Sequence, residues 1–373
     1  MPSPKPWGSI AVDSKEAVCL ARPLDDGLDG DAALTRTALT QTVSEEPEIA
    51  YEHHGVIEAT SIVRRAVARH AQIVSSGATP VHHQGLQPPG VFTFLTLKTV
   101  VKSTEDTSRF DFAFDDPEVV SDVKVSCTCI VRAPDEKPCY EDPGTKLICP
   151  PFDYPSEEGP FMVYRAYAPI TVPGSVGILS LLVQKIPNGK MSNYIHSLKV
   201  GEKLGIMGYN QCAPSCIPWT INQYNSVTML AEGTGLSRML QILHLSLSDP
   251  NNKAKFFLLF GNDSESDIIM RGELDAMKQT YPGSFDVVYA LSSPPQGWTG
   301  ETGQIDAAMI QKYAPPPADP SLNKLICVAG PPAMVQRIAG VRDGNKYTGW
   351  TGQGALTGAL LDLGYTAQQV RKF

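Results

Sequence analysis

Four short stretches carry residue types whose spacing suits anion and nucleotide chemistry. Arg165, Tyr167, Ala168 and Pro169 lie in the run Arg-Ala-Tyr-Ala-Pro at the end of an apolar, strand-like segment. An arginine there can neutralise a diphosphate through charge-assisted hydrogen bonds, and a neighbouring tyrosine can line a flat ring. Gly189, Lys190, Met191 and Ser192 open the helix-like stretch that continues Asn-Tyr-Ile-His-Ser-Leu, so backbone N–H groups at its start offer an anion site. Gly233, Thr234 and Gly235 follow one apolar strand, and Gly330, Pro331 and Pro332 follow another; each set marks a strand-to-helix turn. Singly these signals are weak, because Arg-x-Tyr arises by chance and Gly-Lys is a common turn. Arg165 and Tyr167 can also be read as barrel surface, Met191 as core filler, and Gly233 and Gly235 as plain turn glycines. In this order along one chain, the set is specific.

The elements that must position these residues fall into three parts. Residues 1–88 are rich in Ala, Thr, Ser, Asp and Glu and lack strand-like alternation. Within them, residues 56–74 (VIEATSIVRRAVARHAQIV) repeat apolar residues at helical spacing, and the pairs His53–His54 and His82–His83 read as solvated. The run GLQPPG at 85–90 is a Pro/Gly hinge and the expected boundary. Residues 89–218 read as an all-β unit: VFTFLTLKTVVKS, SRFDFAFDD, VKVSCTCIV, MVYRAYAPI, GILSLLVQKI and KLGIMGY, with residues 133–160 as a surface insertion. Short strands with few helical periods imply a barrel or sandwich. Residues 219–373 alternate apolar strands with helices, which predicts a parallel sheet covered on both faces. Ligands of such sheets bind at the carboxyl ends of the strands, where AEGTG and AGPP fall.

Composition narrows the function classes. The chain has 373 residues, 42% hydrophobic and 19% charged, so it is globular and long enough for two domains at about 150 residues each. A net charge of −8 argues against general nucleic-acid binding, which needs a basic footprint. No stretch approaches the roughly 20 apolar residues of a membrane-spanning helix, and the first twenty residues carry no targeting h-region. A soluble, cytoplasmic location is the expectation. Eight cysteines are too few for a disulfide scaffold, and Cys127/Cys129 and Cys212/Cys216 lack the spacing of a zinc site. No metal is expected.

On these motifs the chain resembles the NADH–cytochrome b5 reductase family, within the ferredoxin–NADP reductase-like superfamily. The resemblance runs over roughly residues 91–373, and the tail QGALTGALLDLGYTAQQVRKF is similar to the end of the fungal reductases. It implies an α+β two-domain fold, an antiparallel FAD-binding β-barrel followed by an α/β Rossmann-like NAD-binding domain. It also implies that Arg165 and Tyr167 hold the flavin diphosphate and pack near the isoalloxazine, with Pro169 beside them. Gly189, Lys190, Met191 and Ser192 bind FAD phosphate; Gly233, Thr234, Gly235, Gly330, Pro331 and Pro332 line the nicotinamide nucleotide. Asp267 accepts the adenosine ribose hydroxyl, which favours NADH over NADPH. Tyr167 and Ala168 mark the hydride-transfer locus.

The departures are informative. Ala168 stands where the family has Thr or Ser, Gln184 and Ile186 where it has Lys and Tyr, and Ala329 where it has Cys, with Cys327 two residues earlier. Glu232 and Arg238 replace the first Gly and the Pro of Gly-Gly-Thr-Gly-x-x-Pro; the carboxylate repels a diphosphate unless Arg238 partners it. The resemblance implies an FAD-dependent oxidoreductase taking hydride from NADH. Its electrons go to a haem protein such as cytochrome b5 or to a small-molecule acceptor, and a tailoring step in a biosynthetic pathway suits a divergent copy. The alternative is a flavoprotein fold that has lost reductase activity and serves as a non-redox catalyst or interaction protein.

Overall fold

The structure, a computed structural model, describes residues 85–86, 92–121, 123, 125, 127–135, 161–171, 175–208, 219–345, 349–350 and 352–373. The expected helix at 56–74, both histidine pairs, Cys212 and Cys216 lie outside the described residues.

The first sheet is antiparallel and alternates apolar and polar residues along its strands. It comprises β1 (Phe92–Lys102), β2 (Thr107–Ala113), β3 (Cys129–Asp135), β4 (Phe161–Tyr167), β5 (Ile178–Gln184) and β6 (Lys203–Met207), in the order β4-β3-β6-β1-β2-β5. Period-two alternation puts Leu95 and Leu97, Phe110 and Phe112, Val131 and Ala133, Leu179 and Leu181, and Leu204 and Ile206 on one buried face. The sheet curls until its two ends meet. Pro169 bridges Leu181, the Ile170 N–H donates to the Ser180 carbonyl at 2.9 Å, and the Ser180 N–H donates to Thr171 Oγ1 at 2.6 Å. Helix α1 (Lys190–Ser197) follows β5 and buries Met191, Ser192 and Ile195.

One expected strand is displaced. VKVSCTCIV does not form a strand throughout: β3 starts at Cys129 and runs to Asp135, three residues into the expected insertion at 133–160. Pairing decides this. Cys129–Asp135 finds β4 from Tyr167 back to Phe161, and β6 on the other side at Ile130–Arg132. Val125, upstream, packs against the second domain instead. Residues 136–160 are outside the described set.

The second sheet is parallel. Its strands are β7 (Ser226–Glu232), β8 (Lys255–Asn262), β9 (Phe285–Leu291), β10 (Glu301–Thr302), β11 (Lys324–Ala329) and, past a two-stranded ribbon of β12 (Gly344–Asn345) and β13 (Gly349–Trp350), β14 (Val370–Lys372). The order is β10-β9-β8-β7-β11-β14. Helices α2 (Leu236–Ser248), α3 (Arg271–Thr280), α4 (Ala307–Tyr313), α5 (Pro332–Ala339) and α6 (Ala359–Asp362) connect the strands. Met229 and Cys327 face one cluster, with Met239 and Leu243 of α2, while Leu230 and Val328 face another, with Ile310 of α4 and Ile338 of α5. Burial on both faces is why these strands read as continuous apolar runs.

The two sheets share a packed seam. Val125, Ile170 and Leu182 join the α2 cluster, the Gln241 side chain of α2 donates to the Pro169 carbonyl, and the Met270 N–H donates to Ser103 Oγ at 2.8 Å. Upstream of β1, Gly85 is buried and Leu86 packs against the barrel core. Among the described residues, no helix is long and apolar enough to cross a membrane.

His244 on α2 provides a test of the seam. Its Nδ1 is enclosed without a hydrogen-bond partner, and burial, reinforced by the Arg109 charge on β2, pushes its pKa down to about 4. Arg109 is itself paired with Asp111 at 3.2 Å. The unfolded state binds the proton more readily, so this contribution is complete above pH ~6.5 and is lost as the pH falls towards the folded value. Between pH 7 and 4.5, urea titrations should show the wild type losing about 2 kcal/mol more stability than His244→Gln. Equal losses would place the imidazole outside the seam.

Candidate functional site

The barrel closure sets the first half of the site. Tyr167 ends β4 opposite Cys129, and Ala168 leads directly into the bridging Pro169. Arg165 is exposed, its Nη1 donating to the Tyr164 carbonyl at 2.7 Å, while Ala168 is half-buried and Pro169 buried. The Tyr167 ring packs on the barrel core; burial pushes its phenol up to about 12, although the Arg165 charge opposes the shift. Tyr167 is therefore a neutral ring wall at any ordinary pH.

The start of helix α1 is the candidate anion seat. Gly189 precedes it in extended conformation, and no side chain caps its first turn. A Cβ at Gly189 would sit 2.7 Å from Ser192 Oγ, so glycine permits the tight approach. Ser192 Oγ accepts from the Ile186 N–H at 3.1 Å and donates to the Gly189 carbonyl at 3.3 Å, while Asn193 Nδ2 donates to Ile186 O at 2.9 Å and Gly189 O at 2.7 Å. These bonds brace the turn at the helix start, where the backbone N–H direction suits an external anion. Met191 is 3% exposed and packs in the barrel core, so its side chain is filler and only its backbone faces the seat. Lys190 is exposed. Gln184, a departure noted in the sequence, bonds Asp106 at 2.7 Å.

The second half lies where the parallel sheet reverses its strand order, between β7 and β11, the crevice in which open α/β sheets take ligands. Gly233–Gly235 form a 3-10 turn from β7 into α2, with Gly233 at φ +52. A Cβ on Gly235 would overlap the Ala329 carbonyl, so the two strand ends meet only through glycine. Gly330 is less confined, since an added Cβ would meet the movable Met334 Sδ at 2.6 Å; Pro331 then precedes α5 and Pro332 opens it. Cys327 is buried against α2, and burial pushes its thiol up to about 12.

Glu232 is paired, though not by Arg238. Its Oε1 lies 3.3 Å from Nη2 of Arg337 on α5, a contact that spans Gly330. Arg238 lies within electrostatic reach of Cys129 of the barrel and of Arg342. Helix geometry accounts for the correction: Arg238 sits on the face of α2 turned to the seam, whereas α5 starts directly beside the Glu232 strand end. Burial raises the Glu232 pKa, and the Arg337 charge and hydrogen bond partly offset it.

Asp267 closes the short turn Glu265–Asp267 after β8. Its Oδ2 accepts from Ser264 Oγ at 2.6 Å and the Ser264 N–H at 3.0 Å, a capping box that fixes the carboxylate beyond the carboxyl end of β8. Beside it, Arg271 is held by Glu265 at 2.5 Å and by the rings of Tyr289 and Trp298.

Sequence reasoning missed Gln241 and Arg337. Gln241 carried a signal: it is a polar residue with no exposure inside the apolar run Met-Leu-Gln-Ile-Leu. Arg337 carried none, because its partner lies 105 positions away. Gln241 is six residues beyond Gly235, about 9 Å along the helix, so α2 joins the barrel closure to the glycine turn across a short, rigid span. The uncapped α1, the exposed Arg165 and the glycine-lined crevice fit a flavin dinucleotide and a nicotinamide dinucleotide, both anionic at the diphosphate and both flat at one end.

Comparisons with known proteins agree. Residues 158–211 match the oxidoreductase FAD-binding domain family and residues 229–340 the oxidoreductase NAD-binding domain family. The chain is similar to NADH-cytochrome b5 reductase 2 of Coccidioides immitis, 33% identical over 75% of this chain and 76% of that one. The protein of the same name from Aspergillus terreus is also 33% identical, over 75% and 77%. Among solved structures, the cytochrome b5 reductase domain of Ulva prolifera nitrate reductase shares the fold, with a TM-score of 0.58, 22% identity and coverage of 78% of this chain and 100% of that one. The CS-b5R domains of human Ncb5or align at a TM-score of 0.56 and 20% identity, covering 78% and 70%.

The Gly235 contact can be tested directly. Gly235→Ala forces its methyl into the Ala329 carbonyl, and overpacking of this kind costs about 1–3 kcal/mol. Urea unfolding should show that loss; an unchanged midpoint would mean that the strand ends do not meet as described.

Proposed function

The chain belongs to the NADH–cytochrome b5 reductase family, and on that premise we propose how its residues divide the work of an FAD-dependent NADH oxidoreductase. When bound, FAD accepts hydride from NADH and passes the electrons on. One observation carries the assignment of residues: Gln241 ties the carbonyl of Pro169 to the helix that starts at Gly233–Gly235. The strand end bearing Arg165, Tyr167 and Ala168 is thereby held beside the nicotinamide turn.

In this reading the flavin domain spans 89–218 and the nicotinamide domain 219–373, with 1–88 as an extension. Arg165 neutralises the flavin diphosphate, aided by Lys190 and the amides of Met191 and Ser192 that Gly189 leaves accessible. Tyr167 walls the flat ring and keeps water from it, and Ala168 gives the reacting edge a methyl in place of a hydroxyl. Pro169 lends the carbonyl that fixes the strand end. Gly233, Thr234 and Gly235, with Gly330, Pro331 and Pro332, let the nicotinamide nucleotide approach the backbone closely. Asp267, pre-oriented by Ser264, accepts the adenosine ribose hydroxyl and disfavours a 2′-phosphate. A haem protein, cytochrome b5, is the proposed acceptor; the relatives' names support it. Nothing in the fold favours the non-redox alternative.

The test of the reading is spectroscopic. Purified protein should be yellow, bleach when NADH is added anaerobically, and recover on addition of oxidised cytochrome b5 with appearance of the reduced haem spectrum. A yellow protein that NADH leaves unchanged would overturn it, and bleaching without haem reduction would overturn the acceptor. For the flavin seat, Arg165→Ala should weaken FAD retention by about 1.5–3 kcal/mol, the scale of a hydrogen bond to a charged group. Undiminished flavin content after dialysis would remove Arg165 from the site.

A further inference from the structure

Glu232 sits where a dinucleotide-binding crevice ordinarily welcomes negative charge. It is the last residue of β7, directly before the glycine turn, and its side chain lies between the ends of β8 and β11. A Cβ on Gly261 would meet its Cγ at 2.8 Å, and one on Gly330 would meet its Cβ at 3.2 Å. The carboxylate reaches Arg337 at 3.3 Å, with side chains 19% and 37% exposed, so the pair lies at the mouth and not in the core. The same Arg337 Nη2 reaches the Ile305 carbonyl at 3.4 Å, a second contact that tethers the exposed guanidinium beside Glu232.

We propose that Glu232 is a resident anion on Arg337 that the diphosphate of the nicotinamide dinucleotide must replace, making Arg337 a phosphate-binding residue and Glu232 the residue that sets nucleotide affinity. This rests on the reading of the crevice as the nucleotide site. A guanidinium binds phosphate as it binds carboxylate, through parallel N–H donors, so one group can exchange for the other. The exchange has a cost: Glu232 must swing away, and while ionised it faces the arriving diphosphate at close range. Among the described residues, the charged groups facing Glu232 are Arg337 from α5 and Asp263 just beyond β8; the turn at Gly233–Gly235 and the ends at Gly261 and Gly330–Pro332 bring none. Burial, with the like charge of Asp263 adding to it and Arg337 opposing it, lifts the proton affinity of Glu232 above that of an ordinary glutamate. Protonation therefore loosens the pair and admits the nucleotide more readily.

The experiment is calorimetric titration of the flavin-loaded protein with NAD+, which binds without turnover, from pH 5.5 to 8. Wild-type affinity should rise as the pH falls. Glu232→Gln, which keeps the shape and removes the charge, should bind about tenfold more tightly at pH 8 and lose the pH slope, with melting temperature and flavin content retained. Arg337→Gln should bind about tenfold more weakly, also in the Glu232→Gln background. If the wild type binds NAD+ and Glu232→Gln has the same affinity and slope, the proposal is overturned while the nucleotide reading stands. Binding by Glu232→Gln but not the wild type supports it, and binding by neither overturns both. Should Arg337→Gln fail to fold, the pH comparison of wild type and Glu232→Gln decides alone.

Discussion

The site depends on one buried hydrogen bond, from the Gln241 amide to the Pro169 carbonyl. A carbonyl at the last residue of a closing barrel cannot be left unsatisfied in an apolar seam, and a glutamine amide cannot be buried there without an acceptor. Each group meets the other's requirement, and the bond is specific in a way that the surrounding packing of Ile170, Leu182 and Met239 is not. Apolar side chains resist separation of the two sheets; the amide sets their register. Because Pro169 also bridges Leu181, the same residue closes the barrel and docks it.

The chain handles anions sparingly. It carries a net charge of −8, so attraction for two dinucleotides has to be local and directional. In the proposed assignment, backbone amides at the start of α1 and at the glycine turn provide that direction, with isolated guanidinium groups alongside. Such sites need no basic surface, which reconciles an acidic protein with anionic ligands. The pair of Glu232 and Arg337 extends the economy, since one cation is kept in place by an internal anion until a stronger one arrives.

Around the proposed reacting edge the chain offers shape in place of hydrogen bonding. Ala168 and Ala329 offer methyl groups, and Tyr167 is held neutral by burial. Cys327, two residues before Ala329, faces α2 and not the crevice, so it does not restore a thiol to the site. Positioning is left to main chain: the extended strand end at Tyr167–Pro169, the turn at Gly233–Gly235, and the packing of Gly235 on Ala329. Catalysis of this type asks the protein mainly for placement and exclusion of water.

Much of this was legible in the sequence. The barrel strands showed their period of two, the nucleotide strands their unbroken apolar runs, and the glycine turns fell at strand ends, because local pattern reports local structure. That these turns flank the point where the strand order reverses was decided by the sheet order, with β7 and β11 as neighbours. Tertiary structure alone decided the rest. Which residues of VKVSCTCIV and its continuation form β3 depended on pairing with β4 and β6, a partner choice that no local pattern encodes. Met191 was open to two readings until its neighbours showed it in the barrel core. The partner of Glu232 was Arg337, 105 residues on, and not Arg238, six residues on, because helix direction and sheet order set distance in space where sequence sets only separation along the chain.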